Sequence, residues 1–118
     1  MELFDTTQIG LERALSGAAA RQSAIAENLA NVSTPGYRRK DVDFHSTLQA
    51  AFARGRDAVQ TTPVTATPDL SSPMRLDGNS VDADVEAAEA ARNGLEYEAL
   101  AAVSKARSSI LRAAIGVG

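Results

Sequence analysis

The chain has 118 residues, 12 Lys and Arg against 15 Asp and Glu, a formal net charge of −3 and no cysteine. That balance lacks the broad cationic surface that sequence-independent nucleic-acid binding requires. The absence of cysteine removes disulfides, thiolate metal sites and thiol nucleophiles.

Leu, Ile, Val and Phe together number 25, while alanine alone numbers 23. Alanine favours helix strongly but buries little apolar area, so helices form more readily than a self-sufficient core. No apolar run approaches the roughly 18 residues that a membrane span needs. The start, Met1-Glu2-Leu3-Phe4-Asp5, has neither the cationic nor the apolar region of a cleavable leader, so none is expected.

The first predicted element is a long helix over about residues 5–32. Asp5-Thr6-Thr7-Gln8 fits a capping box with Asp5 as N-cap, and Phe4 and Ile9 fall at the hydrophobic-staple positions. Leu11, Leu15, Ala18, Gln22, Ile25, Leu29 and Val32 then follow at alternating spacings of four and three, a heptad seam. Gly10 and Gly17 are expected to weaken the helix slightly. Ser33-Thr34-Pro35-Gly36 ends it, because proline biases the residue before it away from helical geometry and glycine permits a turn.

The middle differs in kind. Residues 44–53, from Phe44 to Ala53, can form a short helix. Residues 60–73 are rich in Thr, Ser and Pro, and three prolines exclude a helix or a central strand. Such a segment is expected to be extended or flexible and to order only against a neighbour.

The last predicted element is a helix over about 82–115. Asp77-Gly78-Asn79-Ser80 reads as a turn, and Asp82, Asp84 and Glu86 place negative charge at a helix N-terminus. Val85, Ala88, Arg92, Leu95, Ala99, Ala102, Ala106, Ser109 and Ala113 repeat at three and four, with Lys105, Arg107 and Arg112 toward the end where the dipole prefers cations. The fold expected is all-α, with two long terminal helices pairing as a coiled coil around an extended or flexible Thr/Pro-rich middle. The divisions expected are 1–36, 37–80 and 81–118. Seams this long and narrow point to assembly with further helices.

Chemical constellations are few. Asp41, Asp43 and His45 share one face of an extended segment, which suits divalent-metal ligation and equally describes a solvated strand edge. The Asp77-to-Asp82 stretch partly matches a calcium loop but lacks its twelfth-position glutamate, and a turn plus helix cap explains each residue. Asn31-Val32-Ser33 meets the glycosylation sequon, a short and frequent match. Arg38-Arg39-Lys40 is a brief basic run beside Asp41, suited to nucleic acid or to salt bridges. No Gly-rich phosphate loop, nucleophile elbow or Ser/His/Asp set occurs. Neither a cofactor nor an enzymatic activity is expected.

The most specific signal is Asn28-Leu29-Ala30-Asn31-Val32-Ser33-Thr34-Pro35-Gly36-Tyr37-Arg38. It resembles the N-terminal motif of the bacterial flagellar rod, hook and hook-associated proteins, carried by Asn28, Ala30, Asn31, Thr34, Pro35, Gly36 and Tyr37. The chain length, the Arg39-to-Phe44 continuation, the Asp77-to-Asp82 turn and Gly94-to-Leu100 resemble the proximal-rod members rather than the longer distal-rod or hook proteins.

The resemblance implies a structural subunit of the flagellar basal body, in the periplasmic rod, exported through the flagellar type III apparatus without leader cleavage. The partners implied are copies of itself, other rod proteins, and ring and export-gate adaptor proteins at the rod base. Neither nucleic acid nor a membrane span is implied. Under that reading Leu11, Leu15, Ala18, Gln22, Ile25 and Leu29 form one assembly seam. Val85, Ala88, Leu95, Ala99, Ala102 and Ala106 form the other. A marginal monomer follows, since association supplies the burial the chain lacks. The alternative function is a small helical binding module or export chaperone acting in solution.

Overall fold

The computed structural model describes residues 2–116. Its elements are α1 (Glu2–Ala30), β1 (Lys40–Asp41), α2 (Phe44–Arg54), α3 (Arg56–Thr61), β2 (Thr67–Pro68) and α4 (Ala83–Ala114). The chain is mostly helical and elongated, with principal extents of 61 × 30 × 14 Å.

α1 starts at Glu2, ahead of the expected Asp5 cap, so Asp5 lies inside the first turn rather than before it. It ends at Ala30, where Asn31 N–H bonds to the Glu27 and Asn28 carbonyls and Thr34 N–H to the Asn31 carbonyl, all at 3.0–3.1 Å. The tightened turns deliver the chain to Pro35 and to Gly36, whose φ is +75°. α4 begins as expected. Asp82 is the N-cap, its carboxylate accepting from Asp84 N–H at 3.0 Å and Val85 N–H at 3.3 Å, which satisfies two of the orphan donors at a helix start.

α1 and α4 run antiparallel, since Asn28 meets Glu86 while Ala18 meets Asn93. The face that α4 turns toward α1 is not its alanine stripe. It is a heptad line of Glu86, Asn93, Leu100 and Arg107, all buried or half-buried. Val85, Ala88, Leu95, Ala99, Ala102 and Ala106 are all exposed. The reason is a matter of partners: Glu86 and Asn93 find hydrogen-bonding groups on α1 and the connection after it, so the polar line is stabilised inside.

The middle segment divides in two: residues 44–54 and 56–61 are helical, more than the short helix expected at 44–53, and residues 62–73 hold no helix, as their prolines imply. α2 and α3 fold back on α1 and supply most of the bulk of the core, with Phe44, Leu48, Ala51 and Val59 buried beside Val42, Ala18 and Ala24. α2 and α3 dock there because α1 offers a groove. Gly10, Gly17 and Ala24 recur every seventh residue and are all buried. Without side-chain bulk there, the rings of Phe52 and Phe44 lie directly on the backbone at Gly10 and Gly17. The residues read as weak points of the helix are its closest contacts.

Within the proline-rich part, only Thr67–Pro68 is strand, paired antiparallel with β1 in the register Lys40 to Pro68 and Asp41 to Thr67. Two strands of two residues leave Pro68 at an edge, where its missing N–H costs nothing.

Candidate functional site

The residues of the rod-type motif converge on the junction where α1 ends, the chain turns, and α4 begins. Asn28 is fully buried. Its Nδ2 donates to the Lys40 carbonyl at 2.9 Å and to Glu86 Oε2 at 3.2 Å. Its Oδ1 accepts from Lys40 N–H at 2.9 Å and from the Tyr37 hydroxyl at 3.1 Å. Two donors and two acceptor sites are all used, the full capacity of a primary amide. One side chain therefore joins α1, β1, the motif tyrosine and α4.

Asn31 acts locally. Its Nδ2 bonds the Glu27 carbonyl at 2.9 Å, and its Oδ1 accepts from the Thr34 hydroxyl at 3.1 Å, closing the helix end. Ala30, Thr34, Pro35 and Gly36 lie exposed on the outside of this turn. Gly36 N–H donates to the Asp77 carbonyl at 2.8 Å, and a Cβ on Gly78 would stand 3.3 Å from Gly36 Cα. Gly78 itself has φ +81°, so the two glycines let the turns touch backbone to backbone. Burial raises the pKa of the Tyr37 phenol, helped by the nearby Glu27 carboxylate, which keeps it a neutral donor to Asn28.

Asn79, also fully buried, completes the junction. Its Nδ2 sits among the carbonyls of Asn31 (2.8 Å), Val32 (3.2 Å) and Thr34 (2.8 Å), and its Oδ1 accepts from Val81 N–H at 2.7 Å. Arg75 donates to the carbonyls of Val32 and Val81. The orphan carbonyls at the end of α1 are thus satisfied by the segment that leads into α4.

Glu86, fully buried on α4, receives Asn28 on one oxygen and Arg39 Nε on the other at 2.6 Å. Arg39 reaches on to Asp69 at 2.7 Å. Burial lowers the pKa of the Arg39 guanidinium, but its bonds to Glu86 and Asp69 outweigh that and raise it, so it stays charged.

The hydroxyls of Ser71 and Ser72, opposed by partial burial and reinforced by Ser71 N–H and Arg39, hold the Asp69 carboxyl well below the usual carboxylate range. A depressed folded-state value means that Asp69 stabilises the fold above its unfolded pKa of about 4 and loses that contribution as pH falls further. Because Asp69 remains partly solvated, the expected loss is about 1 kcal/mol or less. Urea midpoints followed from pH 5 to pH 2 should fall more steeply for the native chain than for Asp69→Asn.

The other expected chemistry is dispersed. Asp41 pairs with Arg21 at 3.0 Å, Asp43 accepts from the Ser46 hydroxyl at 2.7 Å, and His45 Nε2 pairs with Glu96 at 2.7 Å. Three different partners on three elements leave no shared ligand centre. The Arg38-Arg39-Lys40 cations are likewise engaged: Arg39 with Asp69 and Glu86, Lys40 with Glu27, and Arg38 with the Leu70 carbonyl.

Of the first seam, Ala18 and Ile25 are buried, Leu11 and Leu15 half-buried, and Gln22 and Leu29 exposed. Asn93 Nδ2 donates to the Ala18 carbonyl at 2.8 Å and to Gln22 Oε1 at 2.9 Å. The second seam faces solvent along its whole length, Leu95 being 69% exposed.

Sequence reasoning missed Asn79, Glu86 and Asn93 as structural residues. The available signal was Asn93-Gly94, two poor helix formers in the interior of a long helix, in heptad register with Glu86.

Comparison with known proteins places this junction in context. The family described as flagella basal body rod protein matches residues 11–38, which span the first seam and the motif. The flagellar basal body rod protein FlgB of Escherichia coli (strain K12) is 37% identical over 105 residues, covering 74% of this chain and 76% of that protein. FlgB of Salmonella typhimurium (strain LT2) is 36% identical over the same length. FlgB of Bacillus subtilis (strain 168) is 35% identical over 113 residues, covering 85% of both chains. With relatives more than 30% identical across about three quarters or more of both chains, the chain belongs to the FlgB family of flagellar basal body rod proteins.

Proposed function

We propose that this chain polymerises, with copies of itself and with other rod proteins, into the proximal rod of the flagellar motor axle, meeting ring and export-gate adaptor proteins at its base. It is a structural protein and not an enzyme. It reaches the periplasm through the flagellar export apparatus. α1 and α4 act as a coiled-coil unit, stiffened by the Asn28–Glu86–Arg39 junction, and residues 1–36, 37–80 and 81–118 serve as motif helix, variable lobe and stacking helix.

The observation that carries this reading is the exposed α4 stripe. Val85, Ala88, Leu95, Ala99, Ala102 and Ala106 recur in heptad register on one face of a 32-residue helix and are all exposed. Alanines let a neighbouring helix approach closely, and Leu95 supplies a knob worth roughly 1.5–3 kcal/mol when buried. Contacts of this kind join unlike surfaces and propagate into open helical arrays.

Leu95→Asp, at an exposed site, should leave the circular dichroism spectrum and urea midpoint of the isolated subunit within about 0.5 kcal/mol of native. It should abolish incorporation into isolated basal bodies and with it motility. Full rods built from Leu95→Asp subunits would overturn the assignment of this face. A stable one-to-one complex in solution without incorporation would favour the binding-module reading.

A further inference from the structure

A groove of about 730 Å³ lies between the 72–75 turn and the first three turns of α4. Val32, Met74 and Val85 give it apolar walls, and Arg75, Arg92 and Glu89 stand along it. A helix end, roughly 10–12 Å across, is the scale of element that such a groove can seat.

The opposite end of the molecule offers a matching shape. Arg107 is still half-buried against the rest of the chain, whereas residues 108–116 are all exposed, so the last two turns of α4 project past their own support. Ile110 and Ile115 are 67% and 73% exposed there. Beyond Glu98 the chain carries Lys105, Arg107 and Arg112 and no carboxylate side chain.

From this pairing we infer that the groove receives the C-terminal helix end of the next, like-folded subunit in the array: an apolar, basic last turn of the kind this chain carries at 108–116. The complementarity is twofold. Ile110 and Ile115 supply apolar surface for Val32, Met74 and Val85. A helix end brings unsatisfied carbonyls and the negative end of its dipole, which the exposed Arg92 guanidinium, in only a long 3.7 Å contact with Glu89, can take, while Glu89 can meet the incoming Arg112. The contact runs end to end, so it adds an axial direction to the lateral contacts of the α4 stripe. It rests on the rod reading above.

The test uses the isotope-labelled full chain and a synthetic peptide of residues 104–118. Saturable amide shifts are expected at Val32, Met74, Val85 and Arg92, with none along Ala99 to Ala106. The peptide carrying Arg112→Glu should bind at least tenfold more weakly, and Glu89→Lys in the chain should restore it. Absence of saturable shifts, shifts confined to the outer stripe, or equal binding by the Arg112→Glu peptide would each overturn the inference. None of those outcomes touches the rod reading, which stands or falls on the incorporation of Leu95→Asp.

Discussion

Replacing Glu86 by alanine is expected to be the most damaging single change in this chain, lowering stability by about 3–5 kcal/mol. The carboxylate is fully buried and holds Arg39, whose side chain is only 11% exposed, together with one amide hydrogen of Asn28. Alanine removes the acceptor and leaves a buried cation and a buried donor behind. Against total stabilities of about 5–15 kcal/mol, and with nine buried apolar residues among those described, three of them alanine, little margin remains.

Urea unfolding followed by circular dichroism should show the midpoint falling sharply or a native baseline that is lost. Glu86→Gln keeps the side-chain shape and one acceptor but turns its NH2 toward either Asn28 Nδ2 or Arg39 Nε, so it should lose about 2–3 kcal/mol, less than alanine. If Glu86→Ala unfolded at the native midpoint, the junction would contribute nothing and the rigid pairing of α1 with α4 would need another cause.

The second large effect separates two glycines that look alike in sequence. An alanine at Gly17 would place its Cβ 2.8 Å from Phe44 Cβ, and Phe44 is only 1% exposed and enclosed by Leu48, Val42 and Ala51. Overpacking of that kind costs about 1–3 kcal/mol or more. The gain in helix propensity from Gly to Ala is only about 1 kcal/mol, so the clash wins. Gly17→Ala should destabilise the chain by about 1–2 kcal/mol net.

At Gly10 the clashing group is the outer end of Phe52, which is 45% exposed and free to swing into solvent. Gly10→Ala should therefore be neutral or slightly stabilising. Thermal midpoints of the two variants, measured side by side, check both signs at once. Equal destabilisation would mean that Phe52 is held as tightly as Phe44.

These two sites show where reading the chain succeeded and failed. The long helices were legible because their signals are local. Asp82 caps α4, Pro35 and Gly36 follow the end of α1, and seven-residue spacing runs through both. The Asn28-to-Arg38 motif was legible because eleven residues at fixed spacing are specific. The α2 helix was visible in the Phe44-to-Ala53 run.

What was not legible was the inward face of α4. Glu86 and Asn93 point toward α1 because each has a partner that lies 47–75 residues away in the chain, while the alanine stripe read as an assembly seam is left outward. Likewise a glycine's propensity cost can be computed from its own helix, but its value as a landing place for Phe44 cannot.

By itself, then, the sequence determined the two helices, the C-terminal end of α1 and both ends of α4, the turn chemistry and the family, all properties of residues within a few positions of one another. The tertiary structure alone decided that the middle folds into a lobe on α1, that Glu86 is sealed between Asn28 and Arg39, and that the alanine face is left outward. Those outcomes depend on whether a buried polar or bulky group meets a complement across space, and hydrogen-bond satisfaction and close packing are settled only when distant segments meet.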